Sequence, residues 1–272
     1  MTRKNWRLAA ATKHLDRWRE VARCFSEFDQ PASLLFAYLG ARSLDYPHVA
    51  THRSGLKLRL MEFGDLETIW QVFLRHVYDV RPTDQTIVDI GANVGLFACY
   101  AAWKAPRARV LAVEPFPTSV ERLREHLSQN HLSDRVTVLP AALAPNVPEV
   151  VMAVNRHSSQ ENYVVTNVRA EMQTVRVPAI SLERALAEAP GRIDLLKMDI
   201  EGGEFEVLLN AKPSELRRCS RINLEHHAAP SGSGYRKENL IEHLVAAGFL
   251  IRQHLGTADS DYGILHCEQA AA

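Results

Sequence analysis

The sequence contains few cysteines, and none of them lies close to another. The four cysteines are Cys24, Cys99, Cys219 and Cys267, and no Cys-x-x-Cys pair occurs. Isolated thiols argue against a disulfide framework and against a zinc-finger site, and they are typical of proteins in a reducing compartment. We therefore expect four free, reduced thiols.

Long apolar runs are also missing. Charged residues interrupt every apolar stretch at the beginning of the chain, so the hydrophobic core of a signal peptide is not recognisable. No segment approaches the roughly 18 apolar residues that a membrane-spanning helix needs. These absences predict a soluble, cytoplasmic protein that has no membrane partner.

Neither sign of charge is in excess, since 32 Lys and Arg residues balance 32 Asp and Glu residues. Proteins that bind nucleic acids usually carry a basic excess on the binding face, so we expect no nucleic-acid partner. The Asn/Asp-Pro-Pro-aromatic motif that would indicate base methylation is absent as well. A chain of 272 residues with 46% apolar residues can form a full hydrophobic core, and α/β folds of about 250 residues often form one domain.

The spacing of apolar residues divides the chain near residue 80. Over 1–80 it predicts a helical and hairpin extension, with an amphipathic helix over 5–28, a helix over Ser33–Ala41, a hairpin of His48–Thr51 with Leu56–Met61, and a helix capped by Asp65. Aromatic residues of this extension and of the region 145–180 are candidates to line an acceptor pocket: Trp6, Trp18, Trp70 and Tyr163. The extension is equally a candidate contact between subunits, so a homodimer stays an alternative.

Over 81–268, short apolar runs alternate with helical stretches. The predicted strands are Thr86–Ile90, Arg109–Val113, Val136–Leu139, Asp194–Met198, Arg221–Leu224, Phe249–Gln253 and Ile264–Cys267. The predicted helices are Leu96–Trp103, Thr118–Gln129, Ser181–Ala189, Glu204–Leu209 and Arg236–Ala247. Such alternation predicts an α/β fold with a mostly parallel sheet between two layers of helices. Three extra strands interrupt the alternation, at Val150–Val154, Tyr163–Thr166 and Thr174–Val177.

A glycine loop follows the first of these strands, in the segment Asp89-Ile-Gly-Ala-Asn-Val-Gly95. Glycines at 91 and 95 let the backbone turn tightly and approach a ligand, and the helix that follows offers free N–H groups. The next strand leads directly into Glu114. The separation of Glu114 from Gly95 along the chain is close to the one at which an acidic side chain accepts hydrogen bonds from ribose hydroxyls.

The spacing of the glycines also discriminates between cofactors. A dinucleotide loop has the form G-x-G-x-x-G, but here Asn93 and Leu96 occupy the second and third glycine positions. The pattern G-x-N-x-G instead matches the loop of enzymes that use S-adenosylmethionine (SAM). A phosphate-binding loop would need Gly-Lys-Ser/Thr, which is absent. The remaining alternative is a structural turn between strand and helix without a ligand.

A second motif narrows the resemblance. The segment Asp194-Leu-Leu-Lys-Met-Asp-Ile-Glu-Gly-Gly-Glu-Phe-Glu-Val-Leu208 closely resembles the D-x-E-G-x-E signature of FkbM-type methyltransferases. The glycine loop, Glu114-Pro115 and Glu225-x-His227 resemble that family as well, so that the likeness covers about residues 62–267. It implies a Rossmann-like class I methyltransferase fold with seven strands, and methyl transfer from SAM, mostly to the oxygen of sugar or natural-product hydroxyls. Gly203 departs from the signature, in which alanine is frequent at that position.

The resemblance also implies which residues hold SAM: Asp89, Gly91, Asn93, Gly95, Glu114, Phe116, Ala141 and Ala142. The loop would surround the methionine part of SAM, and Glu114 would hold the ribose. Phe116 would cover one face of the adenine, whose edge would meet Ala141 and Ala142. Asp199 would lie beside the methyl group.

Candidates for activating the acceptor follow the fourth and fifth strands. Ligands of open α/β sheets bind outside the carboxyl ends of the strands, which places Asp199 at the active site. Of three nearby acids, Glu204 is predicted to be structural. Alternation along a strand puts Glu225 and His227 on one face and His226 on the other. Either histidine could take the proton from an acceptor hydroxyl, because its pKa lies near neutrality, or could simply face solvent.

Two mechanisms are consistent with these residues. In the favoured one there is no metal, His227 or His226 is the base, and Asp199 orients the acceptor or the amino group of SAM. In the other, Asp199, Glu225 and His226 bind a divalent ion such as Mg²⁺, which lowers the pKa of the hydroxyl.

The sequence therefore predicts a SAM-dependent O-methyltransferase of a small-molecule, sugar or natural-product acceptor. The alternatives are an N- or C-methyltransferase of the same fold, a nicotinamide-dependent oxidoreductase, and a binding module without catalytic activity.

Overall fold

A computed structural model describes residues 18–154, 173–229, 232–256 and 261–270. The first part of the predicted helix over 5–28, the predicted strand Tyr163–Thr166 and the candidate pocket residue Trp6 lie outside these ranges. None of the helices within them is long and apolar enough to span a membrane.

The described part of the N-terminal extension contains three helices and a hairpin. Its elements are α1 (Trp18–Glu27), α2 (Pro31–Tyr38), β1 (His48–Thr51), β2 (Lys57–Leu60) and α3 (Phe63–Ile69), which continues as a π-helical turn over Trp70–Arg75. The predicted hairpin is confirmed, with Ala50 paired to Leu58. Asp65 lies within the first turn of α3 instead of preceding it, and its carboxylate accepts the N–H of Met61 at 2.7 Å.

The central sheet has seven strands. They are β3 (Thr86–Ile90), β4 (Arg109–Val113), β5 (Val136–Leu139), β9 (Ile193–Met198), β10 (Cys219–His226), β11 (Phe249–Leu255) and β12 (Gly263–Gln269). Their order across the sheet is β11-β12-β10-β9-β3-β4-β5. In the described residues β12 runs opposite to the other six strands and pairs antiparallel with both β10 and β11. The predicted Rossmann-like sheet is thus confirmed. The bounds of β3, β4 and β5 are the predicted ones, and each of the other four strands is longer than predicted by one or two residues at one or both ends.

Helices cover both faces of this sheet. They are α4 (Leu96–Lys104), α5 (Pro117–Gln129), α6 (Leu182–Ala187), α7 (Glu204–Leu209), α8 (Pro213–Leu216) and α9 (Lys237–Ala246). Two of the predicted extra strands appear as β7 (Glu149–Ala153) and β8 (Thr174–Ile180), which form a small sheet with β6 (Ala142–Leu143).

Two hydrophobic clusters lie on opposite faces of the sheet, because alternate residues of each strand point to opposite sides. Ile87 belongs to the cluster that contains α4, α5 and the N-terminal extension. Val88 belongs to the cluster with α6, α7 and α9. The extension therefore packs on the face that carries Ile87 of β3 and Leu195 of β9.

This arrangement decides where a site can form. The parallel strands β4, β3, β9 and β10 are neighbours, so their carboxyl ends meet at one edge. The glycine loop follows β3, Glu114 follows β4, Asp199 follows β9 and His227 follows β10. Residues that are far apart in sequence are thus brought to one edge of the sheet.

Candidate active site

A cavity of about 380 Å³ opens at this edge, which falls in the range of about 300–1,000 Å³ typical of small-molecule sites. The strand ends and loops contribute most of its walls, and the N-terminal extension closes one side with Thr68, Gln71 and Val72. The predicted site residues that line the cavity are Gly91, Asn93, Glu114, Ala141, Ala142, Asp199, Glu225 and His227.

Gly91 is required by the close approach of two strand ends. Its φ is +76°, a left-handed conformation that glycine adopts at little cost. A Cβ at this position would overlap the backbone oxygen of Asp199. The loop after β3 and the end of β9 can therefore meet only because residue 91 has no side chain.

Glu114 is held by the same loop. One carboxylate oxygen accepts the backbone N–H of Asn93 at 2.8 Å, and the other accepts the N–H of Phe116 at 2.8 Å. Burial raises the pKa of Glu114 to about 7, although these two hydrogen bonds act to lower it. Each oxygen keeps a lone pair, and the side chain lines the cavity, so Glu114 suits a ligand with vicinal hydroxyls such as ribose.

Asp89 does not line the cavity, contrary to its predicted contact with SAM. The side chain is 0% exposed and lies one step down the strand from the loop, beneath Lys197. Lys197 Nζ is 3.2 Å from Asp89 Oδ1 and donates to the backbone oxygen of Gly91 at 2.8 Å. Burial alone would lower the pKa of Lys197, but the carboxylates of Asp89, Asp199 and Glu225 raise it above the usual value. Asp89 therefore supports the floor of the site through Lys197.

Three further predicted residues lie outside the cavity walls. A Cβ at Gly95 would approach a side-chain carbon of Leu123 at 2.8 Å, so this glycine lets α5 pack closely against the loop. Phe116 precedes α5 and is half-buried without lining the cavity. His226 points to the opposite face of the sheet, where its Nε2 is 3.0 Å from His254 Nε2 and its Nδ1 is 3.1 Å from the oxygen of Asp261. The structure thus removes His226 from the candidate bases.

An acidic cluster with one histidine lies on the other side of the cavity. His227 Nε2 is 3.5 Å from Glu201 Oε2 and 3.9 Å from Asp199 Oδ1. His227 Nδ1 is 2.9 Å from Glu204 Oε1, which also accepts the N–H of Ile200 at 3.0 Å. Glu204, which was predicted to be structural, is fully buried and fixes the ring of His227.

The acids change the charge of the histidine. Burial alone would lower the pKa of His227, but the hydrogen bond to Glu204 and the charges of Glu204, Glu201 and Asp199 raise it to about 9. Burial, together with the nearby acids, raises the pKa of Glu201 to about 7. Near neutral pH, the His227 ring in the free protein is therefore positively charged, with a proton on both nitrogens. Glu201 is then the group that can accept a proton.

The carboxylate of Glu225 is not available to this cluster, because each of its oxygens accepts a hydrogen bond from a tyrosine hydroxyl. Tyr78 donates to Glu225 Oε2 at 2.6 Å, and Tyr262 donates to Oε1. Burial and the charge of Asp199 raise the pKa of Glu225. The predicted metal set of Asp199, Glu225 and His226 is therefore not assembled. Within the described ranges, the group placed to share a metal ion is Asp199, Glu201 and His227, whose ligand atoms lie within 4.8 Å of one another.

Sequence reasoning missed four residues of the site, namely Lys197, Glu201, Tyr78 and Tyr262. Lys197 could have been identified from the sequence, because a charged residue within a buried strand needs a charged partner. Glu201 stands in the signature motif but was given no role. The two tyrosines lie in loops that are far from each other in sequence, and no local pattern connects them to Glu225.

The comparison with known proteins agrees with this geometry. The methyltransferase FkbM domain model matches residues 89–251. The chain is 29% identical over 204 residues to the methyltransferase sdnD of Sordaria araneosa, covering 63% of this chain and 78% of that protein. It is 25% identical over 193 residues to the 31-O-demethyl-FK506 methyltransferase FkbM of Streptomyces tacrolimicus, covering 60% and 72% of the two chains.

A third relative is the hexuronic acid methyltransferase AglP of Haloferax volcanii, which is 26% identical over 176 residues, covering 60% of this chain and 68% of that protein. The family match spans the glycine loop, Glu114 and the acidic cluster, and it does not favour the nicotinamide alternative. The chain belongs to the FkbM methyltransferase family and is a SAM-dependent methyltransferase.

Proposed function

We propose that the protein transfers the methyl group of SAM to a hydroxyl oxygen of a small molecule, sugar or natural product. The observation that carries this proposal is the position of Asp199, Glu201 and His227 on the wall of the cavity that also contains the glycine loop and Glu114. The names of two relatives are consistent with it, since one is a 31-O-demethyl-FK506 methyltransferase and the other a hexuronic acid methyltransferase.

The half of the cavity formed by β3 and β4 suits SAM. When bound, SAM would supply the methyl group, which is activated because a positively charged sulfonium sulfur carries it. Glu114 would hold the ribose hydroxyls, and the backbone around Gly91 and Asn93 would enclose the methionine part. Ala141 and Ala142 leave room beside them for a flat base.

The half formed by β9 and β10 suits a hydroxylated acceptor. A hydroxyl oxygen becomes a better nucleophile as it loses its proton, and a positioned base typically contributes about 10²–10⁴-fold to the rate. Glu201 Oε2 can accept that proton, because the pKa of this carboxyl lies at about 7. Asp199 and His227 can orient the hydroxyl, and Thr68 and Gln71 offer further polar contacts to the acceptor.

Small hydroxylated molecules fit this half better than macromolecules. The balanced charge of the chain gives no basic excess for a nucleic acid. Asp199, Glu201 and His227 offer carboxylate and imidazole groups that can hold a hydroxyl by hydrogen bonds and take its proton. We therefore assign the acceptor to hydroxyl-bearing metabolites or glycosides.

The test uses purified protein, SAM carrying a deuterated methyl group, and a metabolite extract of the host together with a panel of hydroxylated small molecules and amines. Mass spectrometry should find the labelled methyl on an oxygen and the by-product S-adenosylhomocysteine (SAH). Glu201→Gln should abolish the product, whereas Glu206→Gln, an exposed change in the same segment, should leave it unchanged. Label found only on nitrogen or carbon would refute the proposed O-methylation.

A further inference from the structure

We propose that a divalent metal ion binds between Asp199, Glu201 and His227 and there activates the acceptor hydroxyl. The catalytic part of this inference rests on the proposed function, while the binding of the ion does not. The site differs from the one that the sequence suggested, because Glu201 replaces Glu225 and His227 replaces His226.

The three side chains are spaced as the ligands of one ion would be. His227 Nε2 lies 3.5 Å from Glu201 Oε2 and 3.9 Å from Asp199 Oδ1. Two ligand atoms that are each about 2.1 Å from one ion lie about 3.0 Å apart at a right angle and about 4.2 Å apart on opposite sides. The observed separations fall between these limits, so the three side chains can reach one ion with small rotations.

A buried carboxylate holds the far side of the imidazole ring of His227. Glu204 is fully buried, and its Oε1 is 2.9 Å from His227 Nδ1. A carboxylate at this position accepts a hydrogen bond from Nδ1–H, and in the neutral ring this leaves the Nε2 lone pair directed at the other two acids. Histidines that bind metals almost always have such a partner behind the ring, which fixes the tautomer and makes the ligand more basic.

Negative charge is in excess around these three side chains. An unprotonated Nε2 and two carboxylates would present lone pairs to one another at short distances, so a positive charge has to lie between them. A proton on Nε2 can supply one unit of charge, and a divalent ion can supply two. Four acids converge here, namely Asp199, Glu201, Glu204 and Glu225. The cation of Lys197 is shared, since its Nζ lies 3.2 Å from Asp89 Oδ1 and 3.7 Å from Asp199 Oδ2.

The ligand set also indicates the kind of ion. Two carboxylates favour Mg²⁺ or Mn²⁺ over softer ions, and the imidazole favours Mn²⁺ over Mg²⁺, which prefers oxygen ligands and retained waters. Three protein ligands leave further positions for water or for an acceptor hydroxyl. An ion there would lower the pKa of that hydroxyl and fix its orientation. The proton would pass to the oxygen of Glu201 that does not bind the ion, since each residue offers one ligand atom.

The experiment measures Mn²⁺ binding without SAM and without acceptor, by electron paramagnetic resonance of free Mn²⁺ during titration of the full chain. Wild type should bind one Mn²⁺ in a saturable manner, and Mg²⁺ should displace it. Glu201→Gln and His227→Ala should each weaken binding at least tenfold. Glu206→Gln is the matched control and should bind as wild type does. SAH binding reports whether each variant is folded.

Absence of a saturable site in wild type, or equal Mn²⁺ affinity in Glu201→Gln and Glu206→Gln, would overturn the metal site. Full methyl transfer after exhaustive EDTA treatment would also overturn its catalytic part, and it would leave the proposed O-methylation intact with Glu201 as base. Saturable Mn²⁺ binding in a protein that methylates no hydroxyl would support the site and contradict the proposed function instead. The two proposals can therefore fail separately.

Discussion

The two halves of the cavity are built by different means. On the side of β3 and β4, the backbone forms the site: Gly91 and Asn93 have positive φ angles, and two backbone N–H groups hold Glu114. On the side of β9 and β10, ionisable side chains form it, and the position of His227 depends on Glu204. The half formed by β3 and β4, the steric half, therefore depends on close fit over a short segment. The half formed by β9 and β10, the charged half, depends on charges that the sheet brings together.

The strongest test of the steric half is Gly91→Ala. We expect it to destabilise the protein by more than about 4 kcal/mol, a range that single substitutions rarely reach, because the new Cβ overlaps backbone and not a movable side chain. Thermal unfolding would measure this. Gly191→Ala is the matched control, since Gly191 also has a positive φ but an added Cβ meets nothing within 4 Å. Its cost should stay near the roughly 1–2 kcal/mol of a left-handed alanine. Equal costs would show that the close approach to Asp199 is unimportant.

The ion pair beneath the loop joins the two halves, and Lys197→Met breaks it. Removal of one partner of a buried ion pair costs about 3–5 kcal/mol because the other charge stays buried. Here the charge left behind is Asp89, so the double variant with Asp89→Asn should recover most of the lost stability in urea unfolding. Lys212→Met, an exposed change, should cost less than about 0.5 kcal/mol. If the double variant is no more stable than Lys197→Met alone, the pairing is not what holds the floor of the site.

The charged half is tested by His227→Ala. We expect kcat for methyl transfer to fall by at least about 100-fold, because the ring orients the group that takes the acceptor proton. His243→Ala is a suitable control, since His243 lies on α9 and contacts the oxygen of Ala211. A variant of His227 with nearly normal kcat would show that the acceptor is activated elsewhere.

The smallest expected effect is the pH dependence of SAH affinity that arises from the titration of Glu114. Because burial raises the pKa of Glu114 to about 7, the carboxylate is ionised above that pH and protonated below it. Only the ionised form can accept hydrogen bonds from both ribose hydroxyls through both oxygens. SAH affinity measured by calorimetry should therefore fall by up to about tenfold between pH 8 and pH 6.

Two variants identify the group responsible for that pH dependence. Glu114→Gln should bind SAH weakly and with little dependence on pH. Glu201→Gln removes the other cavity carboxyl with a pKa of about 7 and should keep the dependence. The opposite pattern would assign the titration to the acceptor side.

The sequence allowed prediction of most of the steric half, because its residues lie within one strand–loop–helix segment and the strand after it. The seven strands and the side of β10 that carries Glu225 and His227 were also predictable, since alternation is a local property. The position of Asp89 was not, because its partner Lys197 lies on a neighbouring strand that comes much later in the sequence.

The charged half could be predicted only in part. Asp199 and His227 were found from strand ends, but the choice of Glu201 over Glu225 depends on two tyrosines that occupy Glu225. Those contacts arise from the packing of the N-terminal extension and of the loop before β12. Sequence spacing carries no information on which of several acids remains available in such a cluster.

The most direct test of this account is a calorimetric titration of SAH into wild type, Glu114→Ala and Glu201→Gln under the same conditions. We predict that wild type binds one SAH. Glu114→Ala should bind it at least about tenfold more weakly, because hydrogen bonds to a charged group are worth about 1.5–3 kcal/mol. Glu201→Gln should bind SAH as wild type does while it has lost methyl transfer. Equal loss of SAH affinity in both variants, or no binding by wild type, would contradict the division of the cavity into a cofactor half and an acceptor half.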